Sequence, residues 1–166
     1  MELELLFNEA YPGLFRYCHR LTGDRDVAED IAQEAFVRLW YRRVSGEPPA
    51  LRSWLFKVAT HLVRDRVRSS ANRRKLLEAN PVLPAASESP ERATERGEAA
   101  ERVREVLDGL EVRDKILLLM REEGFSYREI ADAVDVAPAS VGTLLARALR
   151  KFSRAYKQRY DVDEDA

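Results

Sequence analysis

The stretch NPVLPAASESPERATERGE, residues 80–98, holds three prolines, several small polar side chains and almost no large apolar ones. Such a segment cannot bury enough apolar surface to offset the entropy of ordering it, so it reads as a linker. It therefore divides the chain, and whatever folds must do so as two small bodies. The expected organisation is a first domain over 1–75, a flexible linker over 76–98, a second domain over 99–160 and an acidic tail over 161–166.

On both sides of the linker, apolar residues recur at helical spacing, and no alternating run is long enough for a strand. The expected fold class is all-α, with two small helical domains. ELELLFNEAYPGLFRYCHRL predicts a first helix, interrupted near Pro12 and Gly13. TGDRD ends it and offers Asp24 or Asp26 as the N-cap of a second helix reaching about Arg43. VSGEPPA reads as a loop, and a third helix is expected from Leu51 to Ser70 or beyond. Periodicity resumes near Ala99 with four further helices in ERVREVLDGL, VRDKILLLMREEG, SYREIADAV and PASVGTLLARALRKFSRAYKQRY.

The formal charge of −1 conceals a strong alternation. Residues 51–75 hold eight basic side chains and one acidic (+7), and 135–160 hold six and one (+5), while 76–112 hold four and nine (−5). Two basic blocks could each meet phosphates within a near-neutral chain, although charge alone leaves solvated helix faces equally open. No apolar run approaches the ~20 residues that cross a bilayer, and the acidic start MELELLFNEAY is unlike a signal peptide, so a cytoplasmic protein without membrane insertion is expected. One cysteine, Cys18, cannot close an internal disulfide, and His19 and His61 do not complete a metal ligand set. Cys18 is expected in the core. No nucleophile–base pair, Gly-rich phosphate loop or paired metal carboxylates appear, so no catalytic residue, metal or cofactor is expected.

In DVAEDIAQEAFVRLWYRR, Val27, Ile31, Ala35 and Leu39, flanked by Ala28, Ala32, Phe36 and Trp40, make a broad core-facing surface. Asp30, Gln33, Glu34 and Arg38 share a neighbouring polar face. Periodicity alone favours an ordinary solvated face there. The order of residues, however, closely resembles the helix by which bacterial sigma factors of the sigma-70 family hold the clamp helices of the RNA polymerase beta-prime subunit. That resemblance implies that Asp30, Gln33, Glu34 and Arg38 bind core polymerase.

In LRSWLFKVATHLVRDRVRSS, Leu51, Trp54, Leu55, Val58 and Leu62 form an apolar stripe, with Trp54 assigned to packing rather than base stacking. Lys57, His61, Arg64 and Arg68 line another face and suit a phosphate backbone. The segment resembles the helix that engages the minus-ten promoter element in extracytoplasmic-function (ECF) sigma factors. There the preceding loop captures a base flipped from the non-template strand. Here that loop is about Arg43 to Ala50, with Ser45, Gly46 and Glu47 at its centre. His61 stands where the family often has Asn, which leaves the preferred minus-ten sequence open.

SYREIADAVDVAPASVGTLLARALRKF has the outline of a helix-turn-helix. Ile130, Ala131, Val134, Val136 and Val141 fall where it needs small or apolar groups, Asp135 takes the turn position that calls for positive φ, and Pro138 starts the second helix. Val141, Leu144, Leu145, Ala148 and Phe152 are expected to face the core, leaving Ser140, Thr143, Arg147 and Arg150 outward with Gly142 and Ala146 between them. The stretch resembles the minus-thirty-five binding domain of the same family, which implies DNA contacts by Ser140, Thr143, Arg147 and Arg150. Gly142, Leu144 and Ala146 stand where basic or bulky residues are frequent, so a sparse contact is expected, and the basic run that follows is expected to grip backbone.

Two matches in the right order, joined by a linker, identify the chain as a member of the ECF type of sigma factor. The resemblance implies an initiation subunit, not itself an enzyme, that partners the core polymerase (beta-prime clamp, beta flap), promoter DNA and an anti-sigma factor. Two other readings stay open: a stand-alone helix-turn-helix regulator, and a sigma-derived module that binds polymerase without reading DNA.

Overall fold

The computed structural model describes the backbone of residues 3–77 and 95–160 and the side chains of 3–73 and 97–160. Most of the expected linker, and the tail 161–166, lie outside the described residues. Those described form helices and short connections, with no strand among them: α1 (Leu3–Thr22), α2 (Arg25–Tyr41), α3 (Pro48–Leu77), α4 (Glu95–Asp108), α5 (Val112–Glu122), α6 (Tyr127–Val134) and α7 (Pro138–Tyr160). The chain divides into two compact units, Met1–Glu88 and Ser89–Ala166.

In the first unit α1, α2 and α3 pack against one another. α1 runs unbroken through Pro12 and Gly13, contrary to the expected interruption. Pro12 lies on the exposed face, while Leu6, Ala10, Leu14, Tyr17, Cys18 and Leu21 are buried along the other. Burial at about 1.5–3 kcal/mol per large apolar side chain holds both halves together against the ~3 kcal/mol that an internal proline costs.

Asp24 is the N-cap of α2, its side chain accepting the Asp26 and Val27 N–H groups at 2.9 and 3.1 Å. α2 stops at Tyr41, two residues before the expected end, because Arg43 adopts φ +49°. The Arg43 and Val44 N–H groups then turn back onto the Trp40 and Leu39 carbonyls, a closure usually built on glycine. α3 begins at Pro48, so the loop expected to reach Ala50 is shorter. The two prolines occupy a first turn in which a missing N–H costs nothing.

The core of this unit is rotated from the expected stripe. Leu51 and Leu55 are buried, but so are Phe56, Ala59, Thr60 and Val63, while Trp54, Val58 and Leu62 are only partly covered. α3 meets both α1 and α2, so its buried face is wider than one stripe and centred nearer Phe56 and Ala59. Trp40, expected in the core, is 64% exposed. One buried polar pair ties α1 to α3. The Thr60 hydroxyl donates to the Phe56 carbonyl at 2.7 Å and so accepts from the Tyr17 hydroxyl, also at 2.7 Å.

In the second unit α7 packs against α4, α5 and α6. Ser126 caps α6 in a reciprocal box with Glu129: the Ser126 side chain accepts the Glu129 N–H at 3.2 Å, and the Glu129 carboxylate accepts the Ser126 N–H at 2.7 Å. Asp135 takes the left-handed conformation expected of it (φ 58°, ψ 46°), and Pro138 opens α7. Asp135→Val should lower the stability of this unit by about 1–2 kcal/mol, since a β-branched residue resists that conformation, and Asp135→Gly should recover most of the loss. Thermal melts of the two variants check this. At the far end, Glu105 of α4 accepts the Tyr160 hydroxyl and pairs with Arg159 at 3.2 Å, while Lys151 meets the buried carboxylate of Asp114 at 3.0 Å.

Candidate functional site

α2 is anchored by Ala28, Ile31, Ala32, Ala35, Phe36 and Leu39, and this fixes what its outer face presents. Asp30, Gln33 and Glu34 are exposed and Arg38 partly so. Two separate i,i+4 pairs run along this face, Arg38 Nε donating to Glu34 Oε1 at 3.0 Å and Gln33 Nε2 to Glu29 Oε1 at 3.3 Å. On α1, the Tyr11 hydroxyl pKa is raised by burial and the nearby Glu29, with Gln33 acting the other way. Together these groups offer carboxylates to a basic partner.

On α3, Lys57, His61 and Arg64 are partly covered and Arg68 is exposed, at spacings that place them along one side of the helix. His61 differs from the other three, because its Nε2 is shielded and meets no hydrogen-bond partner among the described residues. Lys57, Arg64 and Arg68 supply the lysine and arginine side chains of this stripe. Ser45, Gly46 and Glu47 are exposed in the connection before α3, and the Glu47 carbonyl accepts the Leu51 N–H at 3.1 Å to start the helix.

Ser140, Thr143, Arg147 and Arg150 are all exposed on α7, as expected. Gly142, however, lies against the preceding helix rather than on the outward face. A Cβ added there would touch the Tyr127 ring at 3.5 Å. That ring is capped by the Arg121 guanidinium at 5.2 Å, and Arg121 also donates to the Phe125 carbonyl at 3.1 Å. Val141 and Ala148 are buried, whereas Leu144, Leu145 and Phe152 are only partly covered. Beyond Arg150 the basic face continues through Arg154 and Lys157, which line a shallow concavity with Ser153 and Gln158.

Cys18 lies in the core, where burial pushes its thiol up to about 12, so it stays protonated and unreactive near neutrality. Among the described residues no group of three or more His, Cys, Asp or Glu could hold a metal ion, and no helix is long and apolar enough to cross a membrane.

Comparison with known proteins matches residues 6–73 to Sigma-70 region 2 and residues 100–152 to Sigma-70, region 4. The ECF RNA polymerase sigma factor SigL of Mycobacterium tuberculosis is 32% identical over 161 residues, covering 89% of this chain and 85% of SigL. The chain belongs to the ECF RNA polymerase sigma factors. Another relative, the probable RNA polymerase sigma factor RfaY of Xanthomonas campestris, is 33% identical over 150 residues. The alignment covers 86% of this chain but 37% of RfaY. The sigma factor RpoE of Bartonella quintana, solved in complex with the anti-sigma factor NepR, shares the fold with a TM-score of 0.70 and 17% identity. That match covers 97% of this chain and 98% of RpoE. In this ECF sigma factor, region 2 corresponds to α1, α2 and most of α3, and region 4 runs from α4 into the second half of α7.

Proposed function

We propose that this ECF sigma factor directs bacterial core RNA polymerase to its promoters through three surfaces, one for the enzyme and two for DNA. The observation that carries the reading is the pairing of region 2 with region 4 in one chain, each presenting exposed side chains of the chemistry its target needs. Asp30, Gln33, Glu34 and Arg38 dock on the beta-prime clamp. Lys57, Arg64 and Arg68 hold the minus-ten backbone, each phosphate contact steepening the salt dependence by about 0.9 log units on duplex DNA. His61, at the covered edge of this stripe, helps shape it.

The loop at Ser45, Gly46 and Glu47 receives an unstacked base as the strands part, when flipping costs least. Ser140, Thr143, Arg147 and Arg150 touch the minus-thirty-five duplex, Arg147 and Arg150 being the groups able to grip guanine or phosphate. The nucleotide chemistry belongs to the polymerase, and this chain is not an enzyme by itself. An anti-sigma factor that covers these surfaces is a further proposed partner, consistent with the complex in which the structural neighbour was solved.

The test is transcription by purified core polymerase, with and without this protein, on a library of genomic fragments with start sites mapped. Discrete starts sharing two upstream elements are expected. Arg147→Ala should weaken initiation by about tenfold or more where the upstream element is required, in line with ~1–3 kcal/mol per specific base contact. Binding to core without discrete starts would favour a sigma-derived interaction module. Tight duplex binding without any binding to core would favour a stand-alone regulator.

A further inference from the structure

The second half of α7 carries a positive strip that no carboxylate of its own helix offsets. Arg147, Arg150, Arg154 and Lys157 follow one another at steps of three or four residues, all four are exposed, and α7 contains no acidic residue. Two other cations of the helix are already matched, Lys151 by Asp114 at 3.0 Å and Arg159 by Glu105 at 3.2 Å. Among the described residues no carboxylate pairs with Arg150, Arg154 or Lys157. With Ser153 and Gln158 these three line a shallow concavity to which no other element contributes.

The residues that follow this strip, DVDEDA at 161–166, carry four carboxylates and no basic group. Three surfaces lie within their reach, and charge separates them. The unpaired carbonyls at the end of α7 disfavour negative charge along the helix axis. The flank towards α4 is acidic, because Glu98, Glu101 and Glu105 share one side of that helix, while Arg159 is engaged by Glu105 and Arg102 lies over the Tyr160 ring at 5.1 Å. That leaves the basic strip. Six extended residues span at most ~20 Å, and along the helix axis Lys157 lies about 5 Å back from Tyr160, Arg154 about 9 Å and Arg147 about 20 Å. A segment that reverses direction therefore meets Lys157 and Arg154 but stops short of Arg147.

We propose that residues 161–166 fold back on the Arg150–Lys157 strip of the free protein, their carboxylates standing where DNA phosphates would, and are displaced when a duplex binds. The inference rests on the duplex-binding role proposed for α7. Tethering supplies an effective concentration of order millimolar, so a few weak ion pairs hold the segment in place for much of the time. Those pairs are screened by salt, and the masking is strongest where non-specific binding to phosphate is strongest. The effect is to keep the free protein off bulk DNA.

Zero-length carbodiimide coupling of the full-length protein joins a lysine amine to a carboxylate only where the two touch. Peptide mapping should show Lys157 joined to Asp163, Glu164 or Asp165 of the same chain, and the product should fall about threefold or more with excess duplex or at high salt. The second measurement is duplex affinity. Asp161→Asn, Asp163→Asn, Glu164→Gln and Asp165→Asn together should tighten binding about three- to tenfold at low salt and steepen its salt dependence. That gain should vanish when Arg154→Gln and Lys157→Gln are also present, because the cycle isolates the contact between segment and strip.

A gain of equal size in both backgrounds would mean diffuse repulsion of DNA by the segment and would overturn the inference. So would Lys157 joined instead to Glu88 or Glu91, or, in mixed light and heavy isotope samples, to a second chain, since each puts another occupant on the strip. If no variant binds duplex even at low salt, the DNA role of α7 fails and the inference with it. Duplex binding without coupling of the segment to Lys157 sinks the inference alone.

Discussion

Phe56→Ala should destabilise the first unit by about 3–5 kcal/mol, the usual cost of deleting a fully buried aromatic ring. Phe56 is completely buried, lies 5.0 Å from the Tyr17 ring and has the Arg52 guanidinium 4.9 Å from its centroid. Its own carbonyl anchors the Thr60 hydroxyl that in turn accepts from Tyr17. The cavity would therefore open beside the buried Tyr17–Thr60 pair between α1 and α3, where a shift of the helix leaves hydroxyls unpaired at a further cost of about 1–3 kcal/mol. A unit of this size has about 4–11 kcal/mol in total, so most of its stability is at stake. In calorimetry the variant should lose or lower one transition while that of the second unit stays in place. An unchanged thermogram would mean that the ring is not packed as described.

Asp30→Lys with Glu34→Lys should abolish transcription by reducing core binding about a hundredfold or more, since reversing two charges turns attraction into like-charge repulsion worth several kcal/mol. The fold should barely notice. Both positions are exposed, and the Glu34–Arg38 pair, with side chains 47% and 41% exposed, is the kind of surface pair that contributes under about 1 kcal/mol. The decisive comparison is core affinity against the free protein's melting temperature. Full affinity with both charges reversed would remove α2 from the docking surface. Loss of affinity together with loss of the fold would be explained by folding alone, so the melt must be run on the same sample.

Local chemistry that acts within a few residues was legible in the sequence. An aspartate cap at 24 or 26, Asp135 at the turn and Pro138 at the start of α7 each follow from the preferences of that residue at that place, and the structure has Asp24, Asp135 and Pro138 in these roles. Tertiary choices were less legible. Trp40 and Phe56 are both large and aromatic, and periodicity placed the tryptophan inside while passing over the phenylalanine. Which face of α3 is buried depends on two neighbouring helices, and a single-helix pattern does not contain them. Pro12 was read as a break because its local cost is real, yet the buried face of α1 outweighs it. The polar face of α2 was read from residue order and the basic stripes from charge, whereas the 64% exposure of Trp40 carries no signal in the sequence. Exposed apolar residues become visible only when burial is measured.

The contact between Gly142 and Tyr127 bears on how such a protein could acquire a new promoter preference. The start of α7 is partly roofed by a residue of the helix before it. An alanine methyl fits beneath that roof in ordinary contact, but a longer side chain at 142 must take a rotamer that clears the ring or push it aside. Tyr127 is in turn held by Arg121, so a bulky side chain at 142 would press on a ring that is not free to swing away. A change at 142 to alanine could therefore stand alone, whereas a side chain too large to clear the ring would call for a compensating substitution at 127.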